Sequence, residues 1–229
     1  SALVVMLRAC GANRMKQFLA QERDSYLRGR SRDNQPEYPL AHNHGQSYIH
    51  YRKGAVVMYA LSQYIGEDSV NVALQRYLQK HAYNQGLYST SLDALAELRA
   101  VTPDSLQYLF EDMFTNITLY ENQTAEATAR ELSNGGYAVE LDLKVAKYRA
   151  DGGGQQTATP MNDWIRVGVY PEATDEEPFP EPLALEWHRL RGDTVLTLEV
   201  SELPYEAGID PDFLLIDRAP DDNVRRISF

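Results

Sequence analysis

The sequence predicts an α+β chain, with a helical subdomain over residues 1–116 and an antiparallel β-sandwich over residues 117–229. Three observations carry this. Apolar residues recur at helical spacing up to about residue 115, and past about residue 117 the period falls toward two. Short strand-like runs in the second half are separated by turn residues, as in a sandwich. Charge divides at the same place. Residues 1–116 hold 12 Lys+Arg against 11 Asp+Glu and residues 117–229 hold 10 against 22, so the net charge of −11 belongs to the β half.

The helical elements follow in order. Met15, Phe18, Leu19, Tyr26 and Leu27 line one face of a helix that Asn13 is placed to cap. "GRSRDNQPEYPLAHNHGQ" is polar, carries Pro36 and Pro39, and reads as a long loop of the kind that often holds function. "YIHYRKGAVVMYALSQYIG" follows as a helix that is apolar nearly all round and therefore buried, ending near Gly66. Val70, Ala73, Leu74, Tyr77 and Leu78 mark the next helix. "STSLDALAELRA" opens with capping hydroxyls at Ser89, Thr90 and Ser91. Thr102-Pro103 reads as the start of a further helix, with Leu106, Leu109, Phe110 and Met113 at helical spacing.

In the second half, "YAVELDLKV" alternates from Tyr137 to Val145, and Asn134-Gly135 before it is a hairpin turn, so Thr124 to Leu132 is expected to pair with it. "DWIRVGVY", "PLALEWHRL" and "TVLTLEV" are further strands, the last two joined by a turn at Gly192-Asp193. "FLLIDR" is expected as a short final strand. "DGGG" at 151–154 lacks the lysine and following helix of a phosphate loop and reads as a flexible hairpin loop.

Composition excludes several function classes. The acidic balance argues against a nucleic-acid partner. The single cysteine, Cys10, allows no internal disulfide and reads as a small core residue. The apolar run Ala2–Leu7 is far too short to span a bilayer, and no charged segment precedes it as in a signal peptide. The pattern opens abruptly within a helix, so a piece of a longer polypeptide is expected. His42 and His44 form an H-x-H pair, but zinc takes three or four ligands and nothing of ligand spacing lies nearby. No H-E-x-x-H and no G-x-S-x-G occurs. Asn116-Ile-Thr and Asn122-Gln-Thr match the glycosylation acceptor pattern, which is common by chance.

Gly54, early in the helix, costs about 1 kcal/mol of helix propensity relative to alanine, which leads to the expectation of a backbone or substrate approaching it closely. A tyrosine at such a point keeps its proton at neutral pH and donates a hydrogen bond to a developing oxyanion. With fifteen tyrosines in the chain, local pattern alone favours packing for any one of them.

"YIHYRKGAVVMYALSQYIGEDSVNVALQRYLQKHAY" resembles the zinc aminopeptidases of the gluzincin class, the relatives of aminopeptidase N and leukotriene hydrolase. Tyr51-Arg52-Lys53-Gly54-Ala55, the turn Gly66-Glu67-Asp68, Tyr77-Leu78 and "YSTSLDALAEL" match in order over roughly residues 45–115. The resemblance implies that the helical half is the second half of a thermolysin-like catalytic domain and that a small β-sandwich domain follows it. "KYRADG", "PMNDWIRVGVY" and "LLIDRAPDDNVRR" are similar to a bacterial subgroup in which a transporter-permease-like membrane region precedes the peptidase. It further implies that Tyr51 is the catalytic tyrosine, its hydroxyl meeting the oxyanion formed when a zinc-bound water attacks a peptide carbonyl. Tyr48 is then a pocket residue, and Lys53 and Gly54 carry the motif.

The family's zinc ligands and general-base glutamate have no counterpart in these 229 residues. The expectation is therefore a C-terminal fragment that holds no catalytic zinc and hydrolyses no peptide alone. Its partners are the upstream catalytic half and membrane region of the same polypeptide and, in the parent, a peptide substrate. It is expected to be a soluble domain of an integral membrane protein. The alternative is a non-catalytic, peptidase-like interaction domain of a membrane transporter, binding through its acidic sandwich. A third reading is a stand-alone structural domain. Upstream sequence discriminates between them, since an intact H-E-x-x-H favours the enzyme.

Overall fold

The computed structural model describes residues 12–83, 86 and 88–229. Cys10 and the apolar run Ala2–Leu7 lie outside them. The fold is α+β, with helices and two antiparallel sheets forming a sandwich. Its residues fall into two compact units. One holds Glu22–Thr118 together with Ala150–Gln156. The other holds the described residues up to Gln21, Leu119–Arg149 and Thr157–Phe229.

The helical unit begins with the second part of α1 (Ala12–Arg32). Met15, Leu19 and Tyr26 are buried along α1 at the spacing the sequence shows, while Asn13 lies inside the helix rather than capping it. After a 3₁₀ turn at Leu40–His42, the chain forms a single π-helical turn at Tyr48–Lys53 and then α2 (Gly54–Ile65). α2 buries Val56, Val57, Tyr59, Ala60 and Leu61, as its apolar pattern requires. Gly66 turns the chain into α3 (Glu67–His81), which packs against α4 (Ser91–Val101). On α3 the packed stripe is Val70, Ala73 and Tyr77, so Leu74 and Leu78 are left exposed. Thr90 caps α4: the Asp93 carboxylate accepts both the Thr90 N–H at 2.7 Å and its hydroxyl at 2.9 Å. Those bonds hold the Asp93 carboxyl below its usual range, the backbone donor first.

The helical turns expected after Thr102-Pro103 run from Asp104 to Thr115, but Thr102 does not cap them. Proline disfavours helical backbone in the residue before it, so α4 stops there, and the Thr102 hydroxyl donates back to the Leu98 carbonyl at 2.8 Å. A 3₁₀ turn, the one-turn α5 (Tyr108–Phe110) and a second π turn at Glu111–Thr115 complete the unit. The glycine-rich segment is tied down rather than loose. The Asp151 carboxylate accepts the N–H groups of Gly153 and Gln155, and the Gly152 carbonyl accepts the Glu37 N–H at 2.9 Å. A side chain at Gly152 would come within 2.9 Å of the Glu37 carbonyl.

In the sandwich unit, β1 (Ile117–Glu131) and β2 (Tyr137–Ala150) are neighbours across the Asn134-Gly135 turn, and "TAEATARE" is strand. β3 (Gln156–Thr159) and β6 (Thr194–Val200) both pair with β2. The second sheet runs β5 (Ala184–Leu190), β4 (Asp163–Tyr170), β7 (Glu206–Ile209), β8 (Val224–Arg226). Alternation of buried and half-exposed residues follows the expected period over the start of β4, where Ile165 and Val167 point into the core. Lys147 and Asp163 form a buried ion pair at 2.8 Å, and the Tyr120 hydroxyl donates to the same carboxylate at 3.0 Å.

One expectation for this half is corrected and another is refined. The Gly192-Asp193 turn joins β5 to β6 as expected, but the two strands do not pair with each other. The turn carries the chain from β5 in one sheet to β6 in the other, where the Asp193 carboxylate accepts the Val145 N–H. "FLLIDR" is not a strand. Leu214, Leu215 and Ile216 are buried in succession rather than alternately, because the Asp210 carboxylate accepts the N–H groups of Leu214 and Leu215 and closes a loop there.

Candidate functional site

The first π turn organises the residues singled out from sequence. The Gly54 N–H donates to the Ile49 carbonyl five residues back, the bond that widens a helix to π geometry. This turn faces Tyr48, Ile49 and Lys53 inward and leaves three successive residues, His50, Tyr51 and Arg52, exposed. Tyr51 is 68% exposed, and its ring lies against that of His50 with centroids 4.3 Å apart. Arg52 is bound to the buried Glu22 at 2.7 Å.

The inward face rests on α1. Tyr48 stacks on Tyr26 with ring centroids 6.0 Å apart. Gly29 permits this, since a Cβ there would fall 2.5 Å from the Tyr48 Cβ. Burial pushes the Tyr48 hydroxyl up to about 12, with Glu37 and Asp33 adding to it. Lys53 is 1% exposed, five residues on and over the same Tyr26 ring at 5.5 Å. Its Nζ has no hydrogen-bond partner among the described residues, and burial lowers the ammonium to about 8. Tyr26 donates to Glu37, whose other oxygen accepts from Arg30. Burial, and then the Glu37 charge, raise the Tyr26 hydroxyl well above its ordinary value.

Gly54 has no close neighbour. A Cβ there would lie 3.6 Å from the Ile49 carbonyl and 3.6 Å from Leu40, which is ordinary contact. Within this unit the close approaches occur instead at Gly29 and Gly152.

The long loop supplies residues that the sequence reading passed over. Gln46 is buried. Its Nε2 donates to Asp33 at 2.8 Å and to the Pro36 carbonyl at 3.2 Å, and its Oε1 accepts the Tyr38 N–H at 3.2 Å. Asn43 accepts the Gln46 N–H at 3.0 Å and contacts His50 Nδ1 at 2.9 Å. Asn followed three residues later by Gln is a helix-start spacing, and it is the one local sign that this stretch is ordered. A cavity of about 350 Å³ in the same unit is lined by Leu27, Arg30, Asp33, Pro36, Glu37 and Gly152 among others, and none of Tyr48, Tyr51, Lys53 or Gly54 lines it. Its Glu37 carboxylate is already bound on both oxygens.

His42 and His44 lie in the same loop, where the His44 ring meets Tyr38 edge-on at 5.3 Å. Among the described residues no group of three or more His, Cys, Asp or Glu is arranged to hold a metal ion, and no helix is long and apolar enough to cross a membrane. Asn122 of the second acceptor pattern is buried. Chemically, the exposed face offers a phenol, an imidazole and a guanidinium, two of them on adjacent rings, and all three are hydrogen-bond donors. No protein-family model matches this chain, and no curated protein matches it in sequence.

Proposed function

We propose that this chain is the C-terminal part of a gluzincin-type zinc aminopeptidase, supplying the tyrosine that stabilises the oxyanion formed during peptide hydrolysis. One observation carries the reading. Tyr51, the tyrosine of Tyr-x-Lys-Gly-Ala, stands exposed on a π turn whose other motif residue, Lys53, is turned inward. A phenol presented in this way donates its O–H to the carbonyl oxygen as negative charge develops there.

The described residues offer no zinc cluster. In this reading the metal and its ligands belong to upstream polypeptide, the membrane-embedded region also lies upstream, and the isolated chain has no turnover. The chain's own contribution is the donor and the wall that holds it.

The test is kinetic. In the full-length polypeptide, Tyr51→Phe is expected to lower kcat about 100- to 1,000-fold, the loss typical of one oxyanion donor. The melting temperature of the 229-residue chain should not move, because the ring is exposed. Unchanged turnover of an aminoacyl-anilide by the Phe variant would sink the reading.

A further inference from the structure

We propose that His50 is a second hydrogen-bond donor of the same site, presenting its Nε2–H beside Tyr51 to the carbonyl group of a peptide substrate. The proposal rests on the reading of Tyr51 given above and names the residue that acts with it.

Asn43 sets the His50 tautomer. Its Oδ1 accepts the Gln46 N–H at 3.0 Å, which fixes the orientation of the amide. The Nδ2 end therefore faces the Gln46 carbonyl at 3.1 Å and His50 Nδ1 at 2.9 Å. An amide nitrogen only donates, so His50 Nδ1 accepts and carries no proton. A neutral imidazole with a bare Nδ1 keeps its proton on Nε2. The tautomer is thus set by a bond to the other ring nitrogen, as in sites where a histidine has a directed task.

Asn43 is itself anchored. Gln46, which it holds, is buried and bound to Asp33 at 2.8 Å, and that bond is the first cause of the low Asp33 carboxyl. Hydrogen bonds therefore run from the Asp33 carboxylate to the Gln46 side chain, from the Gln46 backbone to the Asn43 amide, and on to the His50 ring. His50 is exposed, its ring lies 4.3 Å from that of Tyr51, and its Nε2 has no protein partner among the described residues. A histidine that only decorated a surface would not need its tautomer fixed by a network anchored on a buried glutamine.

The experiment has two arms. Long-range ¹⁵N correlation spectra of the 229-residue chain should show His50 in the Nε2–H form, and Asn43→Ala should convert it to a mixture. A dominant Nδ1–H form in the unmodified chain would overturn the proposal. In the full-length polypeptide, His50→Phe keeps a ring against Tyr51 but removes the donor. It should lower kcat about 10- to 100-fold with KM within about twofold, the pattern of a contact made in the transition state. An unchanged kcat for His50→Phe overturns the His50 proposal, and a dead Tyr51→Phe measured beside it leaves the tyrosine reading standing. Full activity in Tyr51→Phe removes both.

Discussion

Two π turns interrupt the helical unit, and they are put to opposite uses. Tyr48–Lys53 exposes three consecutive residues and holds them from below with two aromatic rings and a buried lysine. Glu111–Thr115 buries three consecutive residues, Asp112, Met113 and Phe114, and its Phe114 ring stacks on Phe110 at 5.5 Å. The widened backbone is common to both. The difference lies in what the flanking chain provides: a polar loop with Asn43 and Gln46 before the first, and an apolar helix with Leu109 and Phe110 before the second. π geometry by itself is therefore no mark of a site. It becomes informative where it delivers donors to the surface at a cost in buried polar groups.

Mutations sharpen this contrast, beginning with the two turns themselves. Phe114→Ala should cost about 3–5 kcal/mol in urea unfolding, the range for truncating a buried aromatic. Tyr51→Ala should stay within about 0.5 kcal/mol, as for an exposed residue outside any cap or core. A loss of several kcal/mol at Tyr51 would erase the distinction between the two turns.

Lys53 measures what the first turn costs. A lysine held near 8 rather than 10.5 destabilises the fold by about 3 kcal/mol at neutral pH. The sign follows from proton binding. Between about pH 8 and 10.5 the unfolded chain holds the proton and the folded chain has released it, so stability rises with pH across that window. Lys53→Met should therefore gain about 3 kcal/mol at pH 7, and its advantage over the unmodified chain should shrink as pH is raised from 8 to 10. Parallel stability curves for the two proteins across that range would show that the ammonium is not desolvated.

The glycines give smaller effects of opposite sign. Gly29→Ala should lose about 1–3 kcal/mol, since the new methyl meets the root of the Tyr48 side chain and cannot be relieved by a rotamer change. Gly54→Ala should gain about 0.5–1 kcal/mol, because the position is helical and the methyl meets only ordinary contacts. Thermal melts of both variants check the pair. A destabilised Gly54→Ala would restore the expectation of a close approach there.

Much of the fold was legible in local pattern. The apolar stripe of α2, the Thr90 cap of α4 and the Asn134-Gly135 hairpin all follow from residues within one turn or strand of each other. Thr102 and "FLLIDR" each carry a valid local sign that a competing local bond overrides, to Leu98 and from Leu214 to Asp210. The Gly192-Asp193 turn is where a distant partner, Val145 on β2, decides which sheet the next strand joins. The candidate site was half legible. Tyr51 could be singled out by motif, whereas Gln46 and Glu37 could not, because nothing in a polar loop marks which of its side chains will be buried.

The sequence by itself determined the helical and strand periods, their change near residue 117 and the acidity of the second half, because these depend on the spacing of residue types along the chain. Only the tertiary structure decided that Tyr51 faces out while Lys53, two residues on, faces a tyrosine ring. That choice depends on where α1 lies, on the space Gly29 leaves for Tyr48, and on a hydrogen bond spanning five residues, none of which the order of letters in "YIHYRKG" contains.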